Sequence, residues 1–406
     1  MVLLARSRTA RVHAALADAR ARLAADDGAV IRSQIAVSEI AAPTGAEEER
    51  GAWVRRQFAG LGLTGVRTDA AGNVIGRRPG TLDRPAVVVC AHLDTVFPRE
   101  TALQVRRDGP RLVGPGISDN GRGIAAMLAL ADQIDGRRLR TEAPIDFVAT
   151  TGEEGLGDLR GARAFFGEAA PRTAAVVALD GAGDERVVHR GLRSRRYRIT
   201  FHGPGGHSWA AYGVVNPVHA AAAAVAMIRS VTVPAEPRTT LSVGRIGGGI
   251  SVNAIPEDGW FEIDLRSTSS TVLDQLDRDV RATIRAAEAS ENASRRPATR
   301  PLSVAVDLIG DRPGGETAAD DPLVMIALDA TRLVGREPDL ATASTDANVP
   351  ISLGIPSVAL GAGGQGGETH TLAEWYDNTG GTIGLARALT VVVAAAGLAG
   401  AAQPRG

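Results

Sequence analysis

Two histidines and several carboxylates fall in short polar clusters that end apolar runs or follow glycine-rich approaches. The first is His92-Leu93-Asp94-Thr95-Val96, directly after Val87-Val88-Val89-Cys90-Ala91. An imidazole binds a divalent cation, and a nearby carboxylate fixes its tautomer from behind. Taken alone, a His-x-Asp at a strand end is equally an ordinary polar terminus. The second cluster, Gly116-Ile117-Ser118-Asp119-Asn120-Gly121, reads as a loop with an Asx helix cap or as a carboxylate whose two oxygens bridge two cations. In Thr150-Thr151-Gly152-Glu153-Glu154-Gly155 the adjacent glutamates form a solvated edge, or divide the work between ligand and general base. Asp180 in Leu179-Asp180-Gly181 is a turn residue or a further ligand, and His370 in Gly367-Glu368-Thr369-His370 is, by itself, a loop histidine. Together they supply imidazole and oxygen donors, the set that a hard or borderline divalent pair needs. The sole cysteine, Cys90, excludes an intramolecular disulfide and a thiolate metal site, and it fits a reducing compartment.

The elements around these residues suggest how they are positioned. Strands are predicted over Ala86–Ala91, Ile145–Thr150 and Ala174–Leu179, with helices near 45–61, 121–134 and 159–168. Buried strands of a largely parallel α/β sheet read as continuous apolar runs. Three of them end in the polar clusters, and ligands of open α/β sheets lie beyond the carboxyl ends of strands. From 193 to 309 the order becomes strand Tyr197–His202, helix Asn216–Ser230, strands Thr239–Ile246 and Gly259–Leu265, helix Ser270–Ala289 and strand Leu302–Leu308. That β-α-β-β-α-β order is ferredoxin-like. Glu291–Arg300 reads as a solvated loop. A helix near 322–334, a strand at Ser357–Leu360 and a helix near 381–399 resume the first pattern. The expected organisation is a catalytic domain from 1–192 and 310–406, a lid at 193–309, and hinges near 190–193 and 308–312.

With 406 residues, 44% of them apolar, the chain has material for a large core and two domains. A net charge of −1 gives no reason to expect nucleic acid or an anionic membrane as partner, and all 45 basic residues are arginine. The N-terminal stretch lacks a continuous apolar segment and reads as a helix, and Ala388–Ala402 is short for a membrane span. A soluble, cytoplasmic protein is expected.

In order, HLDTV, GISDN, TTGEEG, LDGAG, GPGGHS and GGETHT resemble the peptidase T-like branch of the co-catalytic zinc aminoacylase and carboxypeptidase superfamily, over nearly the whole chain. The resemblance implies a zinc-peptidase-like catalytic domain, a mostly parallel sheet flanked by helices, with an inserted ferredoxin-like lid. It implies two divalent metal ions, zinc foremost and manganese or cobalt as alternatives. His92, Asp180 and bridging Asp119 would hold one ion; Glu154, His370 and Asp119 the other. Asp94 would orient His92, Glu153 would be the general base, and His207 of GPGGHS would stabilise the oxyanion from a neighbouring subunit of a homodimer formed through the lid. Asn253 and Arg266 would bind substrate, an arginine gripping a carboxylate with two parallel hydrogen bonds. Asn120 stands where an aspartate is common in the family.

The implied reaction is hydrolysis of an amide C–N bond in a small peptide or N-acyl amino acid with a free carboxylate. The same machinery would serve a non-peptide C–N bond, such as that of an aromatic amine. A catalytically silent binding protein on this fold is the reading from another class.

Overall fold

The computed structural model describes residues 2–135 and 138–400. The last residues of the Ala388–Ala402 stretch and the chain's first residue lie outside them. The chain divides into two compact units, one from residues 1–191 and 315–406 and the other from Leu192–Gly314.

The larger unit is built on a nine-stranded sheet. Its centre is four parallel strands: Ile145–Thr150 (β2), Ala86–His92 (β1), Thr173–Leu179 (β3) and Ser357–Leu360 (β4), side by side in that order. All seven residues of β1 are buried. Their side chains alternate between two cores, as a pleated strand requires. Val87, Val89 and Ala91 join the helices Gly121–Gln133 and Gly381–Ala396 on one face. Val88 and Cys90 join Phe165 and Phe166 on the other. Burying each valine stabilises by about 1.5–3 kcal/mol. Parallel pairing holds for these central strands, but the margins are mixed: Val74–Arg78 is antiparallel to β2 and Arg186–Gly191 to β4, while Asp339–Ala343 runs parallel to Arg186–Gly191. The antiparallel margins carry glycines and arginines and lack the apolar runs that mark the centre.

The N-terminal stretch is helical, as three segments, Val2–Ala15, Ala17–Ala25 and Asp27–Ser38. A separate four-stranded sheet joins 106–113 to 365–377. It brings the chain's late glycine-rich loop to the loop that precedes Asp119.

The smaller unit has the order Arg193–His202, helix Pro217–Ile228, Thr239–Gly248, Asp258–Ser267, helix Ser270–Ser294 and Ser303–Arg312. Its four long strands form one antiparallel sheet. In Asp258–Ser267 burial alternates residue by residue, so Phe261, Ile263 and Leu265 face the helices. The second helix runs to Ser294, so Glu291–Ser294 belongs to it and the loop begins at Arg295. Glu291 there accepts the backbone N–H of Asn216 at 2.7 Å. No helix among the described residues is long and apolar enough to cross a membrane.

Candidate metal centre

The carboxyl ends of β1, β2 and β3 deliver the first donors. His92 is the last residue of β1 and is 2% exposed. Leu93 and Asp94 continue the chain, and a buried arginine fixes that turn. Arg50 donates to the carbonyls of Leu93 (2.8 Å) and Ile40 (2.6 Å). Burial lowers its pKa to about 10, with the charge of Asp94 acting the other way. His92 Nδ1 lies 3.0 Å from the main-chain carbonyl of Asp94 and 3.6 Å from its carboxylate. The carbonyl is therefore the nearer partner, and an Nδ1–H donated to it leaves Nε2 free to bind a cation.

Asp119 sits in the loop before the helix Gly121–Gln133. Asn120 caps that helix, its side-chain oxygen accepting the N–H of Gly123 at 3.0 Å. The same oxygen accepts the N–H of Gly181 (3.2 Å), and its amide donates to Leu179 O (2.9 Å). Asn120 thus ties the Asp119 loop to the strand end that carries Asp180. The helix enters so close to its neighbours that a Cβ on Gly121 would strike Ser38 Oγ.

Asp119 faces both imidazoles, one with each oxygen. Its Oδ1 lies 3.0 Å from His92 Nε2, and its Oδ2 lies 3.4 Å from His370 Nε2. His92 Nε2 is 3.9 Å from Asp180, and His370 Nε2 is 2.9 Å from Glu154. The donors fall into overlapping groups, His92 with Asp119 and Asp180, Asp119 with Glu154 and His370, and His92 with Glu153 and Glu154; within each, ligand atoms lie within 4.8 Å of one another. Two imidazoles and four carboxylates in this volume suit divalent cations.

The electrostatics agree with that donor chemistry. Burial, then the charge of Asp119, pushes Asp180 up to about 7. Contacts with Asp119 and Glu154 raise His370 to about 10. Burial alone would lower His92, but Asp119 and Asp94 outweigh it and hold the imidazole well above 6.5. Without cations, the proton that Asp180 holds and the positive charge on His92 and His370 offset the charge of Asp119. A cavity of about 660 Å³ adjoins the centre, lined in part by Asp119, Asp180, Arg336 and Trp375.

His207, Asn253 and Arg266 belong to the smaller unit. His207 is exposed, on the short strand Gly206–His207 paired with Ala254–Ile255. It and Asn253 line a cavity of about 940 Å³ with Arg198 and Trp260. Arg266 is not among the lining residues; its Nε donates to Asp264 at 2.6 Å. Sequence reasoning missed Arg50, Asn120's bridging role and Glu374, whose carboxylate receives main-chain N–H groups of the Asp119 loop. Each acts through the main chain, which no motif spacing records.

Residues 73–200 match the model of peptidase family M28, and residues 189–292 match that of the peptidase dimerisation domain. Aminopeptidase PepT from Bacillus cereus superposes with a TM-score of 0.69 at 23% identity, over 90% of this chain and 97% of that one. This chain shares that fold. A tripeptidase from Staphylococcus aureus superposes on this chain with a TM-score of 0.74 at 22% identity, over 90% of this chain and 98% of that one. An N-carbamoyl-L-amino acid amidohydrolase from Geobacillus stearothermophilus is 27% identical over 263 residues. That match takes in 52% of this chain and spans only 60% of the amidohydrolase.

Proposed function

We propose that this chain hydrolyses an amide C–N bond in a short peptide or N-acyl amino acid with a free carboxylate, using two divalent cations. The observation that carries the reading is the division of Asp119, with one oxygen toward His92 and the other toward His370. His92, Asp119 and Asp180 would hold one cation, and Asp119, Glu154 and His370 the other. Zinc fits two imidazoles with carboxylates best, manganese and cobalt less well. Bound there, the pair would polarise the scissile carbonyl and acidify a shared water.

Glu153 is the general base of this reading. Its carboxylate lies in a group with His92 and Glu154, and the residue is 5% exposed. Having taken the water's proton, Glu153 returns it to the departing amine. His207 donates to the oxyanion from a second subunit, and the match to a peptidase dimerisation domain supports a homodimer through the smaller unit. Asn253 shares a cavity with His207, which supports a role in holding substrate. Arg266 remains our candidate for gripping the carboxylate, and Arg266→Ala should raise KM for acidic substrates. Cys90, a buried free thiol, fits a reducing, cytoplasmic setting.

The test is metal content of the purified chain, then a hydrolysis screen of dipeptides, tripeptides and N-acyl amino acids after reconstitution. About two cations per chain with cleavage supports the reading. Glu153→Ala should lower kcat by about 10²–10⁴-fold while both cations stay bound. Two cations with cleavage only of a non-peptide C–N bond would move the substrate class. No tight cation under any condition would sink the catalytic reading and leave a binding protein.

A further inference from the structure

Glu374 is fully buried, and its carboxylate points into the loop that carries Asp119. One oxygen accepts the N–H groups of Ser118 and Asp119, both at 2.8 Å, and the other accepts that of Gly116 at 3.1 Å. Its main chain is engaged as well. The Glu374 carbonyl accepts the N–H of Gly114 (2.9 Å), and its own N–H donates to Thr371 O (3.2 Å). One residue therefore grips the Asp119 loop from both backbone and side chain and closes the turn that follows His370.

Both loops need such a grip. Gly116 has φ +69°, and a Cβ there would strike Thr95. Glu368 and His370 have φ of +55° and +67°, which residues with side chains seldom adopt. A buried carboxylate is costly, and an apolar side chain would avoid that cost. It would also leave three N–H groups facing no acceptor. A glutamine offers one accepting oxygen and would turn an NH₂ against N–H donors. The demand is for two accepting oxygens.

We infer that Glu374 is a positioning residue that holds Asp119 in register with His370, so that each oxygen of Asp119 meets its own cation. The inference rests on the two-cation reading. A residue that merely stabilised the fold would change the melting temperature alone. A positioning residue also sets the affinity of the centre at temperatures where the protein is folded.

The experiment titrates cobalt(II) alone into chelator-stripped full-length protein, following its visible absorption, for wild type, Glu374→Gln and Glu374→Asp. Circular dichroism at the same temperature monitors folding. For Glu374→Gln the expected result is a folded protein with cobalt affinity at one of the two positions about 10–100-fold weaker and an altered cobalt spectrum. With substrate, kcat should fall while KM stays within about twofold, the ordinary mark of an interaction made at the reacting centre. Glu374→Asp keeps two accepting oxygens on a shorter arm and should lie between wild type and Gln. It also carries the test should Gln fail to fold. A variant that binds both cobalt ions with wild-type affinity and spectrum overturns the positioning role and leaves the two-cation reading intact. Wild-type protein that takes up no cobalt overturns both.

Discussion

Asp94 receives the main-chain N–H of Glu153 on one carboxylate oxygen, at 2.9 Å. The N–H of the next residue meets the other oxygen at the same distance, and Thr44 donates its hydroxyl at 2.8 Å. The Asp94 carboxylate thus fixes the Glu153–Glu154 backbone, while the main-chain carbonyl of Asp94 is the nearer partner of His92. Asp94→Asn would present one oxygen and one NH₂ to two N–H donors. Activity, kcat/KM, should fall by about 10–100-fold with the fold retained. Steady-state kinetics beside metal analysis check this, and a variant within twofold of wild type would remove Asp94 from the scheme.

The cation-free protein should weaken as pH rises. Asp180 is raised from 3.8 to about 7, so the folded state binds its proton more tightly than the unfolded chain does. Stability is lost across that window as the proton leaves. His370 is raised from 6.5 to about 10 and adds a second loss over the higher range. Cations reverse the trend, because binding them expels the same protons. Melting of chelator-treated protein between pH 6 and 9 should fall, and His370→Gln should flatten the upper part of the slope. A rising curve would contradict the charge arrangement.

Asn120→Asp tests the strut between two strand ends. The amide that donates to Leu179 O becomes an oxygen facing it, and a charge is added beside Asp119 and Asp180. A loss of about 1–3 kcal/mol is expected. Thermal melts read it, and an unchanged midpoint would show that the strut bears no strain.

Arg50→Met keeps much of the side chain's bulk but removes the donors to Leu93 O and Ile40 O. Two buried carbonyls lose their partner, at a cost of roughly 2–4 kcal/mol. Melting should shift down by several degrees. Metal affinity should fall with it, because the Leu93 carbonyl lies between His92 and Asp94.

The parts of this molecule that sequence makes visible are those governed by local pattern. β1 announces itself because seven consecutive residues are buried on both faces, and its polar end follows directly. The alternation in Asp258–Ser267 marks a one-sided sheet just as plainly. The antiparallel margin strand Val74–Arg78 was not legible, since Gly76 and two arginines break its apolar run. Glu374 was not legible either. Its partners lie 255 to 258 residues earlier and are backbone N–H groups, which look the same in every residue. Arg50 hides for the same reason, an arginine on an apparently surface helix that turns inward to main-chain oxygens.

The donors are also spread unevenly along the chain, and that orders their arrival during synthesis. His92, Asp119 and Asp180 have all been made by residue 180, but His370 comes 190 residues later, after the entire Leu192–Gly314 unit. At 5–20 residues per second the interval is about 10–40 s. For that time the ribosome presents a chain with one donor triad complete and the other lacking its imidazole. His370, which faces one oxygen of Asp119, and Glu374, which receives the N–H groups of its loop, are both made only near the end of the chain.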